Sequence, residues 1–266
     1  MPTPGVDRRT VVAAGVLATV LGVAAHEWAH ALAGTQFGGD VVSVSSTGVE
    51  GRWSTLRNAG WFFLAVSGSA AQAALALIGW LALRRARGHA PVLALLGWAV
   101  FAVNAWMPAM LLIASPTFGF GDWMHLLVRF AALGPVRVSA AVTGFFVVGL
   151  LWKATVETLG RLVGGGGAAA RTERAREIVS GVWLGCGLVA GAAGALAPVG
   201  PVRGVAIALG SCLGATWPIL VASRRVGERP VPGPALHVRR APVLIMTAAF
   251  AALLFVAVLG PGVRLD

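Results

Sequence analysis

Residues 11–34 read VVAAGVLATVLGVAAHEWAHALAG and carry no charged residue before Glu27. A run of this length is typical of a transmembrane helix, because about 20 apolar residues cross a bilayer. The run begins too late and extends too far for a signal peptide, and no small-residue cleavage site follows it. We therefore expect this segment to be a retained membrane span.

The rest of the sequence repeats this apolar pattern. Of the 266 residues, 57% are apolar and 12% are charged, whereas charged residues make up about a quarter of a soluble domain. Only helices and closed barrels satisfy backbone polar groups in lipid, and the alternating pattern of barrel strands is absent. We predict an all-α integral membrane protein of six to seven transmembrane helices. The predicted spans are 11–34, 59–83, 91–114, 138–160, 178–199, 204–223 and 241–260.

The net charge of +11 does not indicate a nucleic-acid partner. The arginines lie in short segments between apolar runs, mainly at 84–90, 161–177 and 224–240, which is typical of topology determinants facing the cytoplasm. We expect a multi-pass protein of a prokaryotic cell membrane, with the lipid bilayer as its surroundings. The two cysteines lie in apolar stretches without the spacing of a disulfide framework or a zinc knuckle.

Three segments between the spans suggest further organisation. Glycines and alternating β-branched residues at 38–46 predict a short β segment at the membrane edge. The less apolar segment 115–137 is predicted to be a short helix or a re-entrant piece. Glycines and charges at 164–177 predict a flexible linker between a membrane core, 1–163, and a three-helix part, 178–266. The last three spans contain no acidic residue, so we assign them scaffold or lipid-facing roles.

The chemistry-bearing residues lie at the end of the first span. His26 and His30 are four residues apart, so on a helix their imidazoles project from one face and can bind one metal ion. In a His-Glu-x-x-His pattern the histidines bind zinc and the glutamate, here Glu27, accepts a proton from the attacking water. An unpaired carboxylate inside a membrane is costly, which favours this function over helix packing alone.

A catalytic zinc site typically has three protein ligands. Of the four aspartates, only Asp122 lies in an apolar neighbourhood. Glu157 has Lys153 and Arg161 one turn away on either side, so an ion-pair network explains it. His125 is the reserve ligand. Threading the first three spans back and forth places Asp122 on the same side of the membrane as the two histidines.

The stretch 26–34, HEWAHALAG, resembles the first motif of the site-2 protease family of zinc intramembrane metalloproteases. The resemblance covers about residues 11–130, and the β segment at 38–46 is similar to a membrane-edge β segment of that family. Residues 67–72 lie where the family has a Gly-Pro-x-x-Asn signature, with Gln72 at the amide position. The family's Asn-x-x-Pro and Asp-Gly pattern corresponds to Asn104 and Asp122, with one extra residue before the proline and a longer spacing to the aspartate.

The resemblance implies zinc-dependent hydrolysis of a peptide bond within or beside a transmembrane substrate helix. It makes Glu27 the general base, Asp122 the third ligand, and Asn104 and Gln72 residues that position the substrate. The partner would be a transmembrane protein substrate, whose identity the sequence does not give. Oligomeric state is likewise open, and the charge rule and the resemblance place the site on opposite membrane faces.

Other functions fit the residues less well. Residues 119–122 also spell the Gly-x-Gly-Asp motif of aspartyl intramembrane proteases, but no second aspartate lies in a span. Ser67 and Ser69 lack a base evident from the sequence, which argues against a serine protease. A transporter would normally show more than one ionisable cluster. The main alternative is a catalytically inactive homologue of the same fold that binds zinc or a partner helix.

Overall fold

The computed structural model describes residues 5–86, 90–119, 121–129, 134–228 and 234–265. Within these ranges, seven helical segments are long and apolar enough to cross a membrane. The helices are α1 (Arg8–Gln36), α2 (Asn58–Ala86), α3 (Pro91–Phe118), α4 (Asp122–Arg129), α5 (Pro135–Val163), α6 (Ala168–Ala195), α7 (Pro201–Leu209), α8 (Ala215–Arg225) and α9 (Pro242–Leu254). This confirms the predicted all-α, multi-pass membrane fold.

Two of the spans contain π-helical segments. Gly210–Gly214 joins α7 to α8 so that both form one span, and Phe255–Leu259 continues α9. The short helix α4 is the only helix named above that is not part of a span. It lies within the segment 115–137, for which a short helix was one of the two predicted forms.

A small antiparallel sheet lies beside the helices. Strands β1 (Asp40–Ser45) and β2 (Gly48–Arg52) form a hairpin directly after α1, which confirms the predicted β segment. A third strand, β3 (Val263–Arg264), pairs with the other edge of β1, giving the order β2-β1-β3. The amide of Ser46 also donates to the carbonyl of Leu259 over 2.6 Å. The end of the last span is therefore attached to the hairpin.

Helix α1 lies at the centre of the packing. It contacts four other helices, α2, α3, α6 and α9. Gly15 on α1 and Gly185 on α6 lie so close to the backbone of the opposite helix that a Cβ at either position would overlap it. Such small-residue contacts let membrane helices approach closely. Helices of the C-terminal part, 178–266, thus pack directly against the helix that carries the His-Glu-x-x-His pattern.

The flexible linker predicted over 164–177 is wrong for most of its length. Helix α6 begins at Ala168, ten residues before the predicted span, so only 164–167 lie between helices. The charges that suggested solvent exposure do not all face solvent, because Arg171 and Arg174 are buried. The division of the chain into separate functional parts stays a prediction.

Candidate metal centre

The helical spacing of His26 and His30 brings their imidazoles together, as the sequence predicts. Their Nε2 atoms are 3.0 Å apart and their rings meet edge to face. Both residues lie near the end of α1, beside the β hairpin that follows it.

The Asp122 carboxylate completes the cluster from another element. Helix α3 ends at Phe118 with Gly119 as its C-cap, and Gly121 adopts a positive φ of 83°, which turns the chain so that α4 begins at Asp122. Asp122 Oδ2 then lies 3.1 Å from His26 Nε2 and 3.4 Å from His30 Nε2. Burial would raise the pKa of the Asp122 carboxyl, but the two imidazoles outweigh it and hold the pKa below its ordinary value.

These three atoms have the spacing that a small metal ion requires. Ligands about 2.0–2.2 Å from a tetrahedral zinc ion are roughly 3.3–3.5 Å from one another, close to the three distances of 3.0, 3.1 and 3.4 Å. Asp122 Oδ2 is buried, and its polar neighbours among the described residues are the Nε2 atoms of the two histidines. A cation between the three atoms would satisfy it, so His26, His30 and Asp122 can hold a metal ion.

A second layer of groups orients His30. Its Nδ1 lies 2.5 Å from the carbonyl oxygen of Leu64 on α2. A carbonyl only accepts hydrogen bonds, so Nδ1 carries the proton and Nε2 presents its lone pair to the metal position. Ser67 Oγ lies 3.2 Å from the same nitrogen but donates to the Leu64 carbonyl at 3.0 Å. Ser67 is thus close to a histidine without being activated by it, which argues further against a serine nucleophile.

The same face of α2 encloses the imidazoles through Gly68. A Cβ at this position would lie 2.5 Å from His30 Nε2 and 2.7 Å from His26 Nδ1. Only glycine leaves the room that the two rings occupy. One turn further along α2, the buried Gln72 lies close enough to His26 for a hydrogen bond between their side chains.

Glu27 and the metal cluster line one cavity of about 490 Å³. Glu27 is only 7% exposed and forms no hydrogen bond or ion pair with a described residue. Its electrostatic neighbours are His26, His30 and Asp122. Glu27 is therefore a carboxylate beside the metal position that is not engaged in a structural contact.

Other walls of this cavity come from parts of the chain to which the sequence analysis gave no functional role. The hairpin turn contributes Ser46 to Gly48, and the C-terminal spans contribute Arg203, Cys212 and Phe255. Cys212 and Phe255 belong to the two π-helical segments, a geometry common at functional sites. Residues of the last three spans thus border the cavity, while the scaffold or lipid-facing role assigned to these spans stays a prediction.

The structure does not bring every predicted site residue to the cluster. Asn104 is fully buried between α3 and α1, where its Nδ2 donates to the carbonyls of Ala18 and Val100 at 3.2 and 3.0 Å. It is not among the residues that line the cavity, so its geometry favours helix packing over substrate positioning. Gln72 does line the cavity. The reserve ligand His125 lies in α4, and its side chain is outside the described residues.

Comparison with known proteins adds no family to this geometry, since no protein-family model, curated protein or solved structure matches the chain.

Proposed function

We propose that this chain is a zinc-dependent intramembrane protease of a prokaryotic cell membrane. It would hydrolyse a peptide bond in or near a transmembrane segment of another membrane protein. The proposal depends above all on one observation, the convergence of His26, His30 and Asp122 beside the unengaged carboxylate of Glu27 at a cavity wall.

The donor atoms favour zinc. Two imidazole nitrogens and one carboxylate oxygen are ligands typical of catalytic zinc, which keeps a fourth position open. The His-Glu-x-x-His spacing on one helix is typical of zinc peptidases. Zinc bound here would supply a Lewis acid that polarises the substrate carbonyl and lowers the pKa of a coordinated water.

Glu27 would serve as the general base and then as the general acid. One of its carboxylate oxygens accepts a proton from the attacking water as the water oxygen bonds to the carbonyl carbon. The same oxygen then delivers that proton to the leaving amide nitrogen as the carbon–nitrogen bond breaks. Meanwhile the carbonyl of Leu64 keeps the proton of His30 on Nδ1, so that Nε2 stays directed at the metal position.

The test compares three purified proteins in detergent: the wild type, Glu27→Gln and Asp122→Ala. Zinc per chain is measured together with cleavage of a panel of single-span membrane substrates. We expect about one zinc per wild-type chain. Glu27→Gln should retain zinc and lose cleavage by about 10²–10⁴-fold, while Asp122→Ala should lose zinc. Glu177→Gln is the matched control, because Glu177 is exposed on α6.

The outcomes separate the possible functions. A wild type that binds no zinc contradicts the proposal, as does cleavage that survives Glu27→Gln undiminished. Stoichiometric zinc with no cleavage of any substrate in the panel would favour the inactive homologue that binds zinc or a partner helix.

A further inference from the structure

A second polar cluster lies at the start of α6. The loop that precedes the helix, Gly164–Gly167, consists of glycine alone, and Gly164 and Gly166 have positive φ values of 69° and 114°. Gly167 is the N-cap of the 28-residue helix, and no side chain caps its first turn. Free amide groups at the start of a long helix, after a glycine-rich loop, form an environment that favours anions. This feature would not by itself define a site.

Two buried arginines lie near the start of α6, and one of them, Arg174, contacts this loop. Arg171 and Arg174, in the first two turns of α6, are 2% and 6% exposed. The Nη2 of Arg171 donates to the carbonyl of Val226 at 2.8 Å, and that of Arg174 donates to the carbonyl of Gly165. The Nε of each arginine is buried without a hydrogen-bond partner in the described chain. Each of the two buried guanidinium groups thus has a donor that a bound acceptor could satisfy.

Neither arginine has a described carboxylate within ion-pair distance. The two positive charges instead act on each other. Two further arginines lie in helix ends on the same side, Arg161 in the last turn of α5 and Arg224 in the last turn of α8, whereas Arg225 is paired with Glu228 at 3.0 Å. Burying like charges without a counter-ion is costly, since desolvation is not offset by attraction.

We propose that Gly164–Gly167, the first turn of α6, Arg171 and Arg174 form a binding site for a phosphate group. Phosphate fits because its oxygens accept the paired donors of a guanidinium group, and charge-assisted bonds of this kind are the strong ones. It also fits the free amides at a helix N-terminus. The phosphate can belong to a phospholipid head group or to free phosphate, and the test distinguishes these sources.

Capping of neighbouring helices explains only part of this arrangement. Val226 directly follows α8 and Gly165 lies just after α5, so each arginine stabilises the negative end of a helix dipole. That role uses one of the five N–H donors that each guanidinium group carries. It does not account for the two unpartnered Nε atoms. Nor does it explain why both charges lie in the first two turns of a helix whose N-terminus has no side-chain cap.

The test uses the full chain in a phosphate-free maltoside detergent. The probes are inorganic phosphate, phosphatidylglycerol, and diacylglycerol, which has the same acyl chains without phosphate. Binding is followed by native mass spectrometry and by the shift in thermal unfolding. The variants are Arg171→Gln combined with Arg174→Gln, and Arg176→Gln as matched control, because Arg176 is an exposed arginine on the same helix.

We expect the wild type and Arg176→Gln to bind phosphatidylglycerol or inorganic phosphate, and not diacylglycerol. The double variant should bind at least about tenfold more weakly, as the loss of charged hydrogen bonds implies. If the double variant does not fold, Gly166→Ala replaces it. That change keeps both arginines but strains a position with positive φ, and the added Cβ would lie 3.2 Å from Arg174 Nη2. It should weaken binding likewise.

Binding of phosphatidylglycerol alone would assign the site to a lipid head group, and binding of both phosphate compounds would assign it to the phosphate group itself. A wild type that binds neither compound overturns the proposal. So does equal loss of binding in the double variant and in Arg176→Gln, because nonspecific charge would then explain the attraction.

Discussion

The metal cluster and the arginine pair are opposite in charge and lie far apart. The cluster of His26, His30 and Asp122 offers electron pairs that a cation can accept, whereas Arg171 and Arg174 offer N–H donors that suit an anion. Helix α6 connects the two regions: it carries Arg171 near its start and lines the metal cavity at Ala190. Nineteen residues of helix separate these positions by about 28 Å, nearly the thickness of the hydrocarbon core.

The comparison shows how a small membrane protein can carry buried charge. In both regions the unsatisfied atoms lie on regular helices, so local rearrangement does not readily pair them. Burying either cluster without a partner of opposite charge costs free energy, and a bound ligand of opposite charge would offset that cost. A ligand bound at the metal cluster or at the arginine pair should then stabilise the protein, because a ligand that binds only the folded state raises the free energy of unfolding.

Removing the metal should change the free energy of unfolding more than any other change described below. It should act through the metal cluster and not through the arginine pair. A chelator should lower the free energy of unfolding of the zinc-loaded wild type by about 2.7–4.1 kcal/mol, the stabilisation expected at 100–1,000 times Kd. His26→Ala should show no response, while the exposed His237→Ala should respond like the wild type. Thermal unfolding with and without chelator measures this. A chelator response that persists in His26→Ala would place the zinc elsewhere.

Filling the space at Gly68 should disturb the metal cluster without removing any of its three ligands. Gly68→Ala places a methyl group against both imidazoles, and we expect a loss of about 1–3 kcal/mol of stability from overpacking. Zinc affinity should fall as well. Gly149→Ala is the control, because a Cβ there meets no atom within 4 Å. Equal zinc affinity in both variants would show that α2 does not shape the site.

Asn104 distinguishes two roles. The resemblance implies that it positions the substrate, whereas its hydrogen bonds in the structure favour packing of α3 against α1. Asn104→Leu should cost about 0.6–1.7 kcal/mol of stability, as for other interhelical hydrogen bonds in membranes. Cleavage per folded molecule should not change, because the side chain does not border the cavity. A lower kcat/KM at unchanged stability would instead assign Asn104 to the substrate.

The start of α1 shows how a helix in this chain satisfies its own N-terminus, in contrast to α6. Asp7 Oδ1 accepts from the amide of Thr10 at 2.9 Å. Burial raises the pKa of Asp7, but the bonds from Thr10 and the charges of Arg240 and Arg9 outweigh it and leave the pKa below its ordinary value. Asp7→Asn keeps a capping oxygen and removes the charge, so it should cost only about 0.3–1 kcal/mol.

The pH dependence of this last effect has a defined sign. Because the pKa of Asp7 is lowered on folding, its contribution is complete above the pKa of the unfolded chain and is lost as pH falls through the folded value. The stability difference between the wild type and Asp7→Asn should therefore disappear in acid. A difference that stays constant down to strongly acidic pH would show that the charge has no role. Unfolding curves at several pH values measure it.

The sequence predicts the fold and the centre of the candidate site because both depend on local patterns. Apolar runs predict the spans, and a spacing of four residues places His26 and His30 on one helix face. Asp122 could be proposed by elimination, since few carboxylates lie in apolar surroundings. The structure brings these three together, whereas their role as zinc ligands stays a prediction.

The features that the sequence analysis missed depend on tertiary contacts. The carbonyl of Leu64 and the missing side chain of Gly68 have no chemical signature in a sequence, although they enclose the histidines. Strand β3 pairs with a segment more than 200 residues away. Arg171 and Arg174 resemble the exposed charges around them, because burial is decided by neighbours distant in the chain, such as Val226.

The two π-helical segments affect how this protein can change over evolutionary time. A π-helical turn holds more residues than the α-helical turns beside it, so one residue can be lost from it while the α-helices on either side keep their orientation. A single deletion within Gly210–Gly214 would convert this turn to α-helix and change which of its residues, Cys212 among them, face the cavity. One-residue gaps at these places would therefore mark descendants with a different cavity, even where the rest of their sequences had hardly diverged.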